Sequence, residues 1–268
     1  MARDPHEAAR LRDAIKRAAQ RVGPITSVPR VRGLDAVGFR ALARGGCPFV
    51  VTDLVGRWPL ARLDREALGE RFGDIRVTVR KGDYVTHAFS GERESVRLSL
   101  RDFLGLPPHD AVAAPGQLPP YIGNQKIEGL NDLCQWPSFF SQYGVARTWF
   151  GPADTVTPLH CDYLENLFAQ VAGRKRFLLI PPHHDVQIEA REVEPVLWAS
   201  AFNPEAPDTK RFPLAGPVTA CECIVEGGEL LYLPAGWFHH VRALTDSLSV
   251  NRWADDRPLA LADDGAVA

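Results

Sequence analysis

The sequence has no apolar run that approaches the ~20 residues a helix needs to cross a bilayer. It also lacks an excess of charge of either sign, because 31 Lys and Arg residues stand against 33 Asp and Glu residues for a formal net charge of −2. Overall electrostatics therefore favour neither a membrane surface nor nucleic acid as a partner, although tRNA is not excluded. The chain contains no internal repeat and no low-complexity tract.

A secretory signal is also missing from the N-terminal segment, residues 6–23, HEAARLRDAIKRAAQRVG. Its pattern instead predicts a packed surface helix with Leu11, Ile15 and Val22 on one side. An odd number of scattered cysteines without such a signal indicates reduced thiols and a cytoplasmic protein. The pair in CEC lacks a second Cys pair, so alternating small residues on a strand explain it better than a metal site. The five cysteines are Cys47, Cys134, Cys161, Cys221 and Cys223.

The pattern of secondary structure that the sequence predicts changes near residue 146. Before that position helical patterns and short strands are mixed, and after it short strands follow one another between Gly and Pro residues. Many short strands separated by such turn residues favour a β-barrel or a double-sheet jelly roll. We therefore predict a helical and mixed region at 1–145, a β-barrel at 146–254 and a short tail at 255–268. The Pro- and Ala-rich segment 107–120 predicts a surface loop or a lid.

Individual elements are predicted from local patterns. Helices are expected within 33–46 and 64–73, and after Ser99, which is a typical N-cap residue. The segment 183–216 has weak periodicity and is interpreted as a long insertion between strands. Strands are expected within 48–54, 74–81, 146–151, 165–173, 174–182, 221–228, 229–244 and 247–253.

One stretch, TVTPLHCDYLEN at 155–166, combines an imidazole and a carboxylate two residues apart. On an extended strand His160 and Asp162 point to the same face, and Cys161 points to the other. This pair is half of a metal site, a buried ion pair, or a coincidence.

A further ligand is available in GELLYLPAGWFHHVRAL. His239 and His240 are adjacent there, so on an extended segment one of them faces inward with the first pair. Two histidines and one carboxylate with open positions are favoured by non-heme Fe(II) oxygenases, but zinc accepts the same ligands. His183 and His184 form a competing pair, which we interpret as loop residues because they follow two prolines.

The stretches TPLHCDYLENLFAQVAGRKRFLLIPP, GGELLYLPAGWFHHVRAL and SVNRW resemble the cupin-like Jumonji-C family of Fe(II)- and 2-oxoglutarate-dependent oxygenases. Within that family they are most similar to the branch of asparaginyl-hydroxylase-like and tRNA-wybutosine-hydroxylase-like proteins. With PFVVTDLVGRWPL, RFGDIRVTVR, LRDFL, PPYIGNQ and WFGPADTVTPLH, the resemblance covers about residues 28–254. It implies a mostly β fold with flanking helices, in which a double-stranded β-helix (a jelly-roll barrel) follows a helical and mixed N-terminal part.

The resemblance also implies roles for particular residues. Iron is expected at His160, Asp162 and His239, the first histidine of its pair. Lys175 is expected to neutralise the distal carboxylate of 2-oxoglutarate. The other matched positions are the hydroxyls of Tyr121 and Thr157 beside that carboxylate, the amides of Asn166 and Asn251 near the iron, and Gln170 and Trp253, whose roles are not specified.

Distance along the chain gives an independent expectation about Lys175. In a flat hairpin turning at Ala172–Gly173, Lys175 would face Gln170, roughly 26 Å along the strand from Asp162 at ~3.3 Å per residue. A small dicarboxylate does not bridge that distance. Gly173 is therefore predicted to let the chain cross to the facing sheet, as strands of jelly rolls do.

The function implied by the resemblance is hydroxylation of a C–H bond in a protein side chain or a small molecule, with O2 consumed and succinate and CO2 released. Demethylation is the same step on an N-methyl carbon. Halogenation is not expected, because Asp162 occupies the position that halogenases leave open. The alternatives are a non-oxygenase metal cupin, either a zinc enzyme or a metabolite sensor, and a structural or interaction protein. A monomer or weak dimer is expected, because only about fifteen residues follow NRW.

Overall fold

The computed structural model describes residues 5–105, 118–254 and 258–261. Within these ranges the helices are α1 (Pro5–Val22), α2 (Ala36–Ala43), α3 (Arg65–Phe72) and α4 (Leu100–Leu104). The first strands are β1 (Arg30–Val31), β2 (Phe49–Val51), β3 (Arg76–Arg80), β4 (Ser95–Ser99) and β5 (Tyr121–Gln125). The others are β6 (Arg147–Gly151), β7 (Val156–Asp162), β8 (Glu165–Ala172), β9 (Arg174–Ile180), β10 (Arg191–Glu194), β11 (Leu197–Ala199), β12 (Cys221–Glu226), β13 (Leu230–Leu233), β14 (Phe238–Ala243) and β15 (Ser247–Ala254).

The strands form two sheets. A nine-stranded sheet has the order β1-β2-β13-β8-β15-β6-β5-β3-β4, and a six-stranded sheet has the order β10-β11-β7-β14-β9-β12. Phe168 on β8 packs against Phe177 on β9 with ring centroids 5.0 Å apart, so inner faces of the two sheets meet in one apolar layer. The predicted mostly β, jelly-roll fold is confirmed.

Gly173 carries the chain from one sheet to the other. It separates β8 of the nine-stranded sheet from β9 of the six-stranded sheet and has a positive φ of 73°. A Cβ atom there would lie 1.9 Å from the carbonyl oxygen of Asp246, so only glycine fits. Lys175 pairs with Val225 and Ala243. The predicted crossing is confirmed.

The first part of the chain supplies strands as well as helices. The hydroxyl of Ser99 accepts a hydrogen bond from the backbone N–H of Asp102 at 3.0 Å and caps α4, as predicted. Strands β1–β5 lie in the same sheet as β6, β8, β13 and β15. The boundary between residues 145 and 146 stays a prediction.

The insertion 183–216 contains two short strands that its weak periodicity did not reveal. β11 pairs with β7, which carries His160 and Asp162, and β10 extends the sheet beyond it. The predicted loop or lid at 107–120 falls largely on residues outside the described ranges. In the part of the chain that is described, no helix is both long and apolar enough to span a bilayer.

Candidate metal centre and its cavity

His160, Asp162 and His239 converge on one point of the six-stranded sheet. His239 on β14 pairs directly with His160 on β7, and the two imidazole centroids are 4.1 Å apart. One potential ligand atom from each of the three side chains lies within 4.8 Å of the others. No other group of three or more potential ligand residues this close is found in the described ranges.

Both imidazoles are oriented by backbone carbonyl groups. The Nδ1–H of His160 donates to the oxygen of Pro158 at 2.9 Å, and that of His239 donates to Trp237 at 3.0 Å. Because a carbonyl only accepts, each ring has its proton on Nδ1 and its lone pair on Nε2. Burial lowers the pKa of His160 to about 4. Burial also lowers the pKa of His239, and the neighbouring His160 ring lowers it further. Both rings are thus neutral at physiological pH, as metal binding requires.

Asp162 is held from the opposite sheet. The indole N–H of Trp253 on β15 donates to its Oδ2 at 2.9 Å. Burial raises the pKa of Asp162, while His239 and the bond from Trp253 act in the opposite direction. A carboxylate in this setting is stabilised by a cation placed between it and the two imidazoles.

Thr157 reaches the same face as His160 through a bulge. His239 pairs with His160 and Val241 with Thr157, so two steps on β14 correspond to three on β7. Simple alternation places residues three apart on opposite faces, and the extra residue in β7 reverses this. Thr157 and His160 therefore line one cavity.

His240 lies on the other face of β14. It is buried, and its Nε2 is 3.4 Å from Oε2 of Glu205. Hydrogen bonds from Arg242, assisted by Arg176, lower the pKa of Glu205 to about 2. His183 and His184 belong to a short 3₁₀ turn and are not part of the metal cluster.

A small cavity of about 30 Å³ lies beside the metal cluster. Lys175 lies in its wall at 8% exposure, with its Nζ 5.4 Å from the centre of the Phe168 ring. No carboxylate of the described residues forms an ion pair with it. Burial lowers the pKa of Lys175 to about 7. The lining residues are Trp149, Thr157, His160, Asp162, Asn166, Phe168, Lys175, Phe177, Leu233, His239, Val241, Asn251 and Trp253.

Two asparagines meet across neighbouring strands of the nine-stranded sheet. Asn251 donates through Nδ2 to Oδ1 of Asn166 at 3.1 Å and accepts from the indole N–H of Trp149 at 2.8 Å. Gln170, by contrast, does not line the cavity. It accepts from the hydroxyl of Ser249 at 2.9 Å and donates to the carbonyl of Ala172 at 2.7 Å, so both the oxygen and the nitrogen of its amide are engaged within the sheet.

Like Gln170, Tyr121 does not line this cavity, but Arg80 lies over both its ring and that of the lining residue Trp149. Its phenol oxygen accepts from Nη1 of Arg80 at 2.5 Å, and its ring packs against Tyr84 with centroids 4.8 Å apart. Sequence reasoning missed Arg80 and Trp149. Both sit in alternating strand patterns, where no local signal separates an inward polar residue from a solvated one.

A second, larger groove begins next to the metal cluster. The ring of Phe89 lies 5.4 Å from that of His160 and also lines this groove. The groove is walled by the segments 82–90 and 199–205, with Arg191, Arg211 and Arg242. A substrate lying in it would thus come close to the candidate metal ligands.

Comparison with known families matches residues 36–259 to the cupin-like domain. Among curated proteins, 239 residues are 42% identical to "Lysine-specific demethylase JMJ30" of Arabidopsis thaliana, over 84% of this chain and 54% of the relative. The chain is also 37% identical over 164 residues to "Bifunctional peptidase and (3S)-lysyl hydroxylase JMJD7" of Homo sapiens, over 53% of this chain and 50% of the relative. "Lysine-specific demethylase 8" of Xenopus tropicalis is 28% identical over 213 residues, covering 77% and 47%. The chain spans about half the length of these relatives.

Proposed function

This chain belongs to the cupin-like Jumonji-C family, and from that membership we propose that it is an Fe(II)- and 2-oxoglutarate-dependent oxygenase. The observation that carries the proposal is Lys175, a buried cation without a described carboxylate partner, in one cavity with the His–Asp–His cluster. Iron with 2-oxoglutarate and O2 would supply oxidation of a substrate C–H bond, with succinate and CO2 released.

The proposed iron ligands are Nε2 of His160, Nε2 of His239 and a carboxylate oxygen of Asp162. Their tautomers and orientation are set by the carbonyls of Pro158 and Trp237 before any metal binds. Three protein ligands leave positions on the metal for an organic co-substrate and O2, which a structural zinc site does not offer.

The residues around the cavity fit 2-oxoglutarate. Lys175 supplies the cation for its distal carboxylate, and a buried ammonium without a counter-ion is costly until an anion joins it. Thr157 offers a hydroxyl on the same wall, and Asn166 and Asn251 offer amides on the facing sheet. A zinc enzyme or a simple metal cupin has no use for the buried cation.

For the substrate we propose the side chain of a protein. All three of these relatives carry lysine-directed names, and Phe89, which lines the groove, lies beside His160. Hydroxylation would add one oxygen to the peptide, and demethylation would remove a methyl group, so mass spectrometry of modified peptides distinguishes the two. We also propose a cytoplasmic setting, in which the five free cysteines stay reduced.

Titration of 2-oxoglutarate into protein loaded with Mn(II) tests the proposal. A charge-assisted hydrogen bond contributes roughly 1.5–3 kcal/mol, so Lys175→Ala should weaken binding at least about tenfold. Lys175→Arg should restore part of the affinity, limited by its bulkier head group. Mn(II) affinity should not change, since Lys175 is not a ligand.

The exposed Lys210 provides the matched control, and Lys210→Ala should bind 2-oxoglutarate like the wild type. Unchanged affinity in Lys175→Ala would overturn the co-substrate assignment. It would also remove the main reason for preferring an oxygenase over another metal cupin.

A further inference from the structure

We infer that Arg80 is a positioning residue for the co-substrate, which turns the hydroxyl proton of Tyr121 toward the distal carboxylate and adds a second fixed positive charge at that end of the site. The inference rests on the proposed function. It assigns a role to a strand residue that does not itself touch the metal or the cavity of Lys175.

Arg80 and Tyr121 form a closely fitted pair on neighbouring strands. Nη1 of Arg80 donates to the phenol oxygen at 2.5 Å, and Nη2 donates to the carbonyl of Gly123 at 3.2 Å. Its guanidinium carbon also lies 5.1 Å from the centre of the Tyr121 ring and 5.5 Å from that of Trp149. Four contacts hold one guanidinium group in one orientation.

Two glycines make room for this pair. A Cβ atom at Gly123 would lie 2.7 Å from the Tyr121 ring and 2.8 Å from Cζ of Arg80. A Cβ atom at Gly151 would lie 2.6 Å from Cβ of Tyr121. Any larger residue at either position would displace the pair.

The hydrogen bond fixes what the phenol group can do. A guanidinium donates and never accepts, so the phenol oxygen serves as the acceptor and its own proton remains for another partner. Tyr121 is buried, and the neighbouring Tyr84 directs its own hydroxyl to the carbonyl of Pro119 at 2.9 Å. A phenol polarised by a cation is also a stronger donor. Tyr121 is therefore prepared to donate to an anion.

The charges nearby indicate that this anion comes from outside. No described carboxylate forms an ion pair with Arg80 or Arg93. A hydrogen bond holds Arg93 near Arg80, and its pKa is lowered mainly by burial and to a smaller extent by the charge of Arg80. Burial lowers the pKa of Lys175 and thus disfavours its charged form until an anion binds. A guanidinium keeps its charge and maintains the attraction.

Trp149 links this pair to the cavity. Its ring lies under Arg80 and lines the cavity that contains Lys175, and its indole N–H holds Asn251. The cation of Arg80 thus lies one side chain behind the wall of the cavity. At this distance it acts through orientation and field and not as a direct ligand.

Calorimetric titration of Mn(II)-loaded protein separates this role from simple packing. The ligands are 2-oxoglutarate and 2-oxobutyrate, which has the same chelating end and no distal carboxylate. Arg80→Met should weaken 2-oxoglutarate about 3–10-fold and leave 2-oxobutyrate and Mn(II) unchanged. Arg80→Lys should recover part of the loss, because it keeps the charge but not the fork of donors.

A double-mutant cycle with Tyr121→Phe tests whether the two residues act together. The combined variant should bind 2-oxoglutarate no more than about twofold more weakly than the weaker single variant, because both changes remove one interaction. Arg76→Met is the matched control, since Arg76 lies on the same strand and is exposed. It should bind 2-oxoglutarate, 2-oxobutyrate and Mn(II) like the wild type.

Three results would overturn the inference alone: wild-type 2-oxoglutarate affinity in Arg80→Met, an equal loss for both oxo acids, or additive effects in the cycle. Wild-type protein that binds no 2-oxoglutarate would instead overturn the proposed function. The two failures are therefore distinguishable in the same experiment.

Discussion

Trp253 donates its indole N–H to Oδ2 of Asp162 across 2.9 Å, and this bond joins the nine-stranded sheet to the six-stranded sheet at the candidate metal centre. The carboxylate can rotate freely about its last bond unless one oxygen is held. With Oδ2 engaged by the indole, the carboxylate plane is fixed beside the two imidazoles.

Removing this bond should weaken metal binding while the fold remains intact. Trp253→Phe keeps most of the aromatic volume and should reduce Mn(II) affinity roughly 10-fold or more, as is typical when a partner of a metal ligand is lost. Competition with a metal-binding dye measures the change. Trp136→Phe is the control, because Trp136 donates to Asn131 away from the cluster. Equal Mn(II) affinity in both variants would contradict the prediction.

The three proposed ligands should each be indispensable for metal binding. His160→Ala, Asp162→Ala and His239→Ala should abolish tight Mn(II) binding, measured by electron paramagnetic resonance of the free ion. His240→Asn should retain it, because His240 faces Glu205 on the other side of the strand. If His240→Asn loses the metal and His239→Ala keeps it, the assignment of the third ligand is wrong.

Replacing the crossing residue should destabilise the protein strongly. Gly173→Ala places a Cβ atom in a backbone conformation with φ of 73° and 1.9 Å from the Asp246 oxygen. The conformation alone costs roughly 1–2 kcal/mol, and relief of the clash adds to it. Urea unfolding measures the loss. Gly216→Ala, where no atom lies within 4 Å, should stay within about 0.5 kcal/mol of wild type.

Glu165 makes stability depend on pH. Burial raises the pKa of Glu165 to about 7, so the folded protein retains a proton that the unfolded chain releases near pH 4.3. Its contribution to stability is therefore complete below about pH 4.3 and declines as the pH rises to about 7. Glu165→Gln has no proton to lose and still accepts from the backbone N–H of Leu259.

Thermal unfolding between pH 4 and 8 should show this difference. The Glu165→Gln variant should melt at a higher temperature than wild type at pH 8 and at a similar temperature at pH 4.5. The exposed Glu128 supplies the control, and Glu128→Gln should follow the wild-type curve. Parallel curves for the wild type and Glu165→Gln would contradict the burial argument.

Sequence patterns predicted much of the fold because they reflect local physics. The two-residue period of a strand placed His160 with Asp162, and chain length required a crossing at Gly173. The same period could not choose between His239 and His240, since it depends on which face of β14 meets the core. That choice came from family resemblance, and the structure brings His239 to the cluster.

Other features depend on contacts between distant segments. The bulge that turns Thr157 inward arises from pairing of β7 with β14 and has no local signal. The short strands β10 and β11 form because the edge of β7 is available to them, not because of their own periodicity. The partnership of Arg80 with Tyr121 joins residues 41 positions apart.

The two sheets contribute different parts of the cavity wall. The six-stranded sheet provides Thr157, His160, Asp162, Lys175 and His239, whereas the nine-stranded sheet provides Asn166 and Asn251. A molecule that contacts both walls holds the two sheets together, because the sheets cannot separate until it dissociates. Ligand binding should therefore lengthen the lifetime of the closed barrel and also increase its equilibrium stability. Backbone amides of β8 and β9 would then exchange their hydrogens at a rate set by ligand dissociation.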